Sequence, residues 1–351
     1  MMVVVRVVLL PWALLFALIV ALRRMLHRHG LLSSKAVATP TISVGALHVG
    51  GLGKTPIAHQ VIEILRQREI ETAFLSRGYG RETRGPRFRE GGSPVVPSIL
   101  GDEPAMLGER IADLPIAVAA DRYVGARLLE QQSSPRCIVL DDAFSHLKFQ
   151  TSAEFIVIPA DPLQWHETLP LPAGSMREGW NARSNAHQHH YWFHSRGGLG
   201  EIESFHPRVR ALWENLSLND RVLTGTVVEV AEEWGEGSRP GCRLVLGAGI
   251  ARPNAFEASV QVLGYEVVAT HWHRDHAEWT DAMFEALLCE AKRLGAAVGV
   301  TEKDAVKLRH LDKDLSQVPV LVFRPIIRWQ MGEERVVAFL EDALAQASKT
   351  L

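Results

Sequence analysis

The sequence has few cysteines and lacks the spacings through which cysteines bind zinc or build disulfide frameworks. Its 351 residues include three cysteines, Cys137, Cys242 and Cys289, which lie far apart and form no C-x-x-C pair. We therefore expect neither a zinc site nor a disulfide framework. A reducing cytosolic environment suits such a chain best.

A strong net charge is also missing. The chain has 38 Lys and Arg residues against 40 Asp and Glu residues, a formal net charge of −2. It also lacks a basic stripe with interleaved aromatic residues, so the sequence predicts no nucleic-acid partner. A hydrophobic fraction of 47% and a charged fraction of 22% are typical of a folded protein, and this length favours two domains.

One apolar run stands at the N-terminus. From Val7 to Leu22 the chain carries no charge for about sixteen residues, and Arg23, Arg24 and Arg28 follow. This is short for a full span, which needs roughly 20 apolar residues. We predict a membrane-associated helix in residues 1–30, with its arginines among anionic headgroups and the next domain cytoplasmic. A cleaved signal peptide and a buried core helix are the alternatives.

Short apolar segments then alternate with segments of helical periodicity. "TPTISVGAL" reads as a strand, and "PIAHQVIEILRQRE" as a helix. The alternation predicts an α/β fold, with a P-loop NTPase-like parallel sheet in residues 31–220. From 221 to 351 we predict a second, smaller α/β domain, in which "AAVGVTEKDAVKL" is a strand and a turn.

The pattern weakens between about residues 170 and 220, where a His-rich patch contains His187, His189 and His190. Metal binding is one interpretation. Adjacent histidines in a loop are more often solvated, and we expect that here.

Residues 43–59, "SVGALHVGGLGKTPIAH", nearly match the phosphate-binding loop G-x-x-x-x-G-K-[ST]. In that loop, backbone N–H groups wrap phosphates, the Lys neutralises charge and the hydroxyl binds Mg²⁺. His48 stands where the first Gly belongs, but nearby glycines retain the needed conformational freedom. The predicted nucleotide-binding residues are His48, Val49, Gly50, Gly51, Leu52, Gly53, Lys54 and Thr55.

Two aspartates follow a later apolar strand. Residues Cys137 to Leu140 lead directly to Asp141 and Asp142. Acidic residues are common in loops after strands, so the pair could also be ordinary loop residues without a functional role. Together with the strand, glycine loop and helix, however, the pair resembles a Walker B end that holds Mg²⁺ beside ATP. We predict Thr55, Asp141 and Asp142 as metal ligands.

An ordered set of motifs resembles the tetraacyldisaccharide 4′-kinase family, the lipid A 4′-kinases of Gram-negative bacteria. The chain contains "VGALHVGGLGKTP", "LSRGYGR", "GDEP", "LDDAFSH", "LPAGSMRE", "RDHAEWT" and "TEKDAVKL" in the order found in that family. The match runs from the apolar helix to about Leu308. Its family also places Thr or Ser, not Gly, where His48 stands.

The resemblance implies transfer of the ATP γ-phosphate to the 4′-hydroxyl of tetraacyldisaccharide 1-phosphate, giving lipid IVA. It implies Asp102 as the base, Glu103 close to the metal and His276 as a residue that tunes or relays the proton. The partners are then the lipid A disaccharide precursor and inner-membrane lipid, and the location is the cytoplasmic face of the inner membrane. Arg77 and Arg81 are candidates for a phosphate clamp, although arginines in loops are as often solvated.

The chain departs from the family pattern at five positions, namely Ala46, His48, Leu52, Ala143 and Ser145. Backbone amides do most of the phosphate binding, so Leu52 is compatible with it. Two rival functions remain open: a degenerate paralogue that binds lipid without phosphorylating it, and a P-loop NTPase that drives a protein partner. Lys303 is a further candidate site residue.

Overall fold

We describe the protein from a computed structural model, which covers residues 2–179, 186–195, 201–235, 243–309, 311, 315 and 318–350. Cys242 lies outside these residues, and Cys137 and Cys289 are free thiols. The strands are Thr41–Ala46 (β1), Thr72–Ser76 (β2), Arg87–Arg89 (β3), Ile116–Val118 (β4), Cys137–Asp141 (β5), Ala153–Pro159 (β6), Gln188–Ser195 (β7), Arg221–Trp234 (β8), Arg243–Ala248 (β9), Glu266–Trp272 (β10), Ala297–Thr301 (β11) and Val320–Met331 (β12). The helices are Met2–Arg28 (α1), Lys54–Arg66 (α2), Pro97–Leu100 (α3), Asp102–Arg110 (α4), Arg122–Gln132 (α5), Pro207–Asn215 (α6), Pro253–Val262 (α7), Asp281–Leu294 (α8), Glu302–Leu308 (α9) and Glu333–Thr350 (α10).

Within the described residues, these strands form one twelve-stranded sheet in the order β10-β9-β11-β12-β8-β7-β6-β1-β5-β2-β4-β3. Most neighbours are parallel, as predicted; β3 with β4 and β8 with β12 are antiparallel. Strand β1 lies between β5 and β6, with Val44 paired to Asp141. The loop after β1 and the aspartates after β5 therefore leave the same edge of the sheet, where α/β proteins bind their ligands.

Helix α2 covers this part of the sheet with one apolar face. Ile57, Val61, Ile62 and Leu65 recur at helical spacing and are fully or almost fully buried. Gly53, at the helix N-cap, has φ 75°, a left-handed conformation that glycine adopts without steric cost. Strand, glycine loop and helix are thus placed as the sequence predicts.

The long antiparallel strands β8 and β12 join the two halves of the sheet. The last helix, α10, packs back against the first half of the sheet: its residues Val336, Leu340 and Ala343 belong to the same core as Ile57 of α2. One sheet runs through both predicted units and the last helix packs into the first. The domain division at residue 220 therefore stays a prediction.

The N-terminal helix α1 extends beyond the apolar run that predicts it. Its segment Val5–Arg28 is long and apolar enough to cross a membrane, by length and composition, and only 6% of its most apolar window is buried. Two of the arginines that follow the apolar run contact the protein itself. Arg23 donates to the Ser145 carbonyl (2.9 Å), and Arg24 pairs with Glu178 (2.7 Å). These arginines dock the helix on the protein.

Two further segments differ from the prediction. The His-rich patch leads into strand β7 rather than lying wholly in a loop: His187 and His189 are exposed, but His190 is 1% exposed. Successive side chains of a strand point to opposite faces of the sheet, so His189 is exposed and His190 is buried. The weak local sequence pattern did not indicate this strand. The predicted turn after β11 is helix α9, which begins because the Thr301 hydroxyl caps it by accepting from the Asp304 N–H.

Candidate active site

A cavity of about 1030 Å³ lies at the carboxyl edge of the sheet, between the P-loop and the second half of the chain. One wall carries Gly50 to Thr55 and the strand-end aspartates. The facing wall carries His276 and Lys303. The cavity therefore brings the predicted nucleotide-binding motif and residues more than 200 positions away into one space.

Lys54 and Thr55 face the two aspartates directly. The Thr55 hydroxyl donates to Asp141 Oδ2 (3.0 Å), and Lys54 Nζ lies 3.8 Å from Asp142 Oδ1. Arg177 completes this group, because its Nη1 is 2.9 Å from Asp142 Oδ2. The P-loop lysine and hydroxyl thus meet the strand-end carboxylates, as the sequence predicts.

Gly53 is required by a close approach as well as by its conformation. A Cβ at this position would lie 2.7 Å from His194 Nε2. His194 is fully buried on β7 and contacts the Thr224 and Thr226 hydroxyls through its two ring nitrogens, at 2.8 and 2.7 Å. The P-loop therefore packs against a buried, hydrogen-bonded histidine that belongs to no recognisable sequence motif.

The two aspartates have opposite electrostatic character. Burial raises the pKa of Asp141 to about 7, although Lys54 opposes the shift. Burial also acts to raise the pKa of Asp142, but Lys54 and Arg177 outweigh it and the pKa is lowered. Asp141 Oδ1 is buried without a hydrogen-bond partner among the described residues. A cation beside Asp141 would relieve this unfavourable desolvation.

On the facing wall, Asp102 and His276 form a pair. The His276 Nδ1–H donates to Asp102 Oδ2 (2.8 Å), and Lys303 Nζ lies 3.2 Å from His276 Nε2. An ammonium group can only donate, so Nε2 is the accepting nitrogen and Nδ1 carries the proton. Glu103 is close, with Oε1 3.8 Å from His276 Nε2.

The surroundings keep Asp102 ionised. Burial acts to raise its pKa, but hydrogen bonds from His276 and Lys307 outweigh burial, and the pKa is lowered. The Asp102 side chain is 7% exposed. His276 lines the cavity, whereas Asp102 is not among the lining residues and contacts His276 from behind the wall.

The remaining predicted site residues differ in their contact with the cavity. Arg77 lines the cavity, whereas Arg81 does not, and its Nη1 is buried without a hydrogen-bond partner among the described residues. The His48 side chain is 2% exposed, and the cavity wall begins at Gly50. His48 also forms a bridge with Met176, which links the P-loop to the segment around Arg177.

Sequence reasoning missed several residues that line or support the cavity. Arg122 is buried beside the aspartates and donates to the Ala119 carbonyl, while the Tyr79 ring packs edge-on against His276 at 4.7 Å. Arg177 lies within the quoted "LPAGSMRE" and Lys307 within "TEKDAVKL". Those motifs were the available signal, but nothing in them says which side chain turns inward.

This fold and site define the class of P-loop nucleotide-binding proteins with a mostly parallel α/β sheet. A profile of the family described as Tetraacyldisaccharide-1-P 4'-kinase matches residues 5–345. The chain therefore belongs to that family, as the motifs of the sequence indicate.

Individual relatives agree with this assignment. The chain is 31% identical over 305 residues to the tetraacyldisaccharide 4'-kinase of Chlorobaculum tepidum, covering 85% of each protein. It is 31% identical over 310 residues to that of Shewanella halifaxensis, covering 88% of this chain and 86% of the relative. The crystal structure of LpxK from Aquifex aeolicus in complex with ATP matches with a TM-score of 0.73 and 23% identity, over 97% of this chain and 99% of that one. The likeness to that structure shows a common fold.

Proposed function

We propose that this protein transfers the γ-phosphate of ATP to the 4′-hydroxyl of tetraacyldisaccharide 1-phosphate, which yields lipid IVA. One observation carries the proposal beyond family membership: the cavity joins a P-loop to the Asp102–His276 pair. Phosphoryl transfer needs neutralised phosphates, an aligned hydroxyl and an acceptor for its proton. The two walls supply residues for each requirement.

The wall that carries Gly50 to Thr55 and the strand-end aspartates is assigned to ATP, and we call it the nucleotide wall. Backbone N–H groups of Gly50 to Gly53 suit the phosphates, and Lys54 supplies a positive charge. Lys54 already lies near Asp142, from which it can turn to the γ-phosphate. This agrees with the ATP bound to the Aquifex aeolicus protein.

The same wall fits a magnesium ion. Among the described residues, Asp141 Oδ1 is buried without a hydrogen-bond partner, and its other oxygen accepts from the Thr55 hydroxyl. Mg²⁺ is typically held by one or two carboxylates together with substrate phosphates. We assign Thr55 and Asp141 as its ligands, with Asp142 and Glu103 nearby. When bound, the ion would neutralise charge on the transferred phosphate.

The facing wall, formed around the Asp102–His276 pair, is assigned to the sugar hydroxyl, and we call it the acceptor wall. His276 faces the cavity, so we propose that its Nε2 takes the hydroxyl proton. Asp102 stays ionised and stabilises the resulting imidazolium through the Nδ1–H hydrogen bond, so the predicted base acts through His276. In this step the sugar hydroxyl replaces Lys303 as the donor to Nε2. Arg77 is the better-placed of the two candidate arginines for a substrate phosphate, because it alone lines the cavity.

Helix α1 is assigned to the membrane that holds the lipid substrate. Apolar side chains are exposed along its length, including Val8 (67%), Trp12 (64%), Leu14 (67%) and Leu18 (65%). Such a surface partitions into the interface or core of a bilayer. Basic residues after the run favour the cytoplasmic face of the inner membrane. Arg23 contacts Ser145 on the cavity wall, so the cavity lies close to this surface.

One assay separates this function from its rivals. Purified protein is given labelled Mg-ATP and the lipid A disaccharide precursor in detergent, with Lys54→Ala as a matched control. We expect label in the lipid with wild type and at most a trace with the variant. Lipid binding without transfer would indicate a degenerate paralogue. ATP hydrolysis that ignores the lipid would indicate an NTPase that drives a partner.

A further inference from the structure

Helix α9 brings a second cation to Asp102. Lys307 Nζ lies 2.8 Å from Asp102 Oδ2, the same oxygen that accepts from His276. It also donates to the Ala277 carbonyl at 2.9 Å. One ammonium group therefore joins the start of α4 to the loop that carries His276. Its side chain is 13% exposed, so the contact is largely shielded from water.

Lys307 is not among the residues of the cavity wall, whereas Lys303, one turn earlier, is. The two lysines therefore differ in reach. Lys303 can meet a substrate, but Lys307 touches Asp102 and the backbone behind the wall. Any effect of Lys307 on the reaction must pass through those partners.

The loop that Lys307 holds is locally strained. His276 has φ 61°, a left-handed conformation that residues with a Cβ rarely adopt. Strain of this kind persists where neighbouring contacts over-determine the backbone. The His276 N–H donates to Gly249 (3.2 Å), and Lys307 binds the carbonyl of the next residue. Lys307 thus stabilises the turn after His276, through the Ala277 carbonyl.

Helix α9 is itself fixed against α4. Arg110 of α4 forms a buried ion pair with Glu302, the first residue of α9. Arg309, just beyond α9, pairs with Glu109 of α4. These contacts place the backbone of Lys307 beside the start of α4, which a long, flexible lysine side chain alone would not do.

We infer that Lys307 is a positioning residue, which holds Asp102 and the His276 turn in register across the two halves of the chain. The inference rests on the proposed function. Misplacement of catalytic groups by about 1 Å is enough to cost up to about 100-fold in rate. Nucleotide binding belongs to the other wall, and Lys307 leaves it unaffected.

The test replaces Lys307 in the full-length protein. Lys307→Met should lower kcat for lipid phosphorylation by about 10- to 100-fold, with KM for Mg-ATP within about twofold. Arg293→Met is the matched control, since it removes an exposed cation near the end of α8 that pairs with Glu290 instead of Asp102; its kcat should stay within about threefold. Should Lys307→Met not fold, Lys307→Gln keeps a polar group but removes the charge and shortens the side chain, so a fall in kcat in the same direction is expected.

A mutant cycle separates positioning from a general structural role. In an Asp102→Asn background, adding Lys307→Met should cost less than about threefold, because residues that act as a unit are not additive. An undiminished loss in that background, or unchanged kcat in the single variant, overturns the inference. Absence of transfer by wild type would instead defeat the proposed function.

Discussion

The two walls of the cavity are built in different ways. Lys54 and Thr55 come after β1, and its neighbour β5 ends at Asp141, with Asp142 next, so adjacent parallel strands within the first half of the sheet create the nucleotide wall. On the acceptor wall, Asp102 and His276 are 174 positions apart in the sequence. The first wall is therefore a local product of one motif and one sheet edge. The second exists only when both halves of the chain are assembled.

The walls also differ in electrostatics. Asp141 keeps a buried oxygen without a partner among the described residues, and burial raises its pKa to about 7. Asp102 is buried too, but hydrogen bonds from His276 and Lys307 lower its pKa. A cation beside Asp141 would stabilise its ionised form, which Lys54 alone does not achieve. Asp102, in contrast, is stabilised in its ionised form by the chain's own donors, so we expect the two walls to respond differently to substitution.

The largest effect is expected on the nucleotide wall. Lys54→Ala should reduce phosphate transfer by at least about 10²- to 10³-fold, because it removes a charge aimed at the phosphates. The measurement is labelled-phosphate transfer beside a thermal unfolding curve, which should change little. Arg66→Ala is the control at the other end of α2, where an exposed pair with Asp113 contributes little. Undiminished transfer by Lys54→Ala would remove the P-loop from the reaction.

The acceptor wall should respond in kcat and not in nucleotide binding. His276→Ala should lower kcat by roughly 10²- to 10⁴-fold, the usual range for acid–base assistance, while the Kd for ATP stays nearly constant. Asp102→Ala should cost a similar amount, and the double variant much less than the product of the two losses. Steady-state kinetics and nucleotide titration distinguish these quantities.

His271→Ala is the control for that experiment. His271 lies five positions before His276 but pairs with Glu290 instead of Asp102. We expect a mild change in rate. Strictly multiplicative losses in the Asp102 and His276 double variant would mean that the two residues act separately, and the acceptor wall would then serve binding alone.

The same contrast explains how far the sequence predicts the molecule. Hydrophobic periodicity and the glycine loop are local signals, and they place β1, α2 and the strand-end aspartates correctly. His194 carries no such signal, because its support of Gly53 depends on β7 lying two strands away from β1. Lys307 is similar: "TEKDAVKL" predicts a turn, and only the Thr301 cap and packing on α4 make it a helix that reaches Asp102. Local pattern does not encode such long-range contacts.

Helix α1 offers a way to separate catalysis from delivery of the lipid. Deleting residues 1–28 should move the protein from the membrane to the soluble fraction and lower transfer to micellar lipid by on the order of 10-fold, since shared localisation raises the effective substrate concentration. ATP binding should persist, because the P-loop lies outside the deletion. Fractionation and nucleotide titration measure both. A truncated protein that stays fully membrane-bound would place the anchor elsewhere.

A smaller and more selective effect is expected where α1 meets the nucleotide wall. Arg24 pairs with Glu178 at 2.7 Å and donates to the Phe144 carbonyl at 3.0 Å. These partners adjoin Arg177, which binds Asp142, and Ser145, which lines the cavity. Each residue that Arg24 contacts is therefore the sequence neighbour of a residue of the nucleotide wall: Phe144 precedes Ser145, and Glu178 follows Arg177. Among the described residues, Arg24 has no comparable link to the acceptor wall.

Arg24→Met should accordingly raise KM for Mg-ATP by about threefold and leave kcat within about twofold, because the wall shifts slightly while the Asp102–His276 pair stays in place. It should also lower the free energy of unfolding by about 1–3 kcal/mol, since Glu178 is almost fully buried and loses its partner. Adding Glu178→Gln should recover part of that stability by removing the unpaired charge. Steady-state kinetics and thermal unfolding in detergent provide both readouts. A fall in kcat with KM unchanged would instead couple the helix to the acceptor wall.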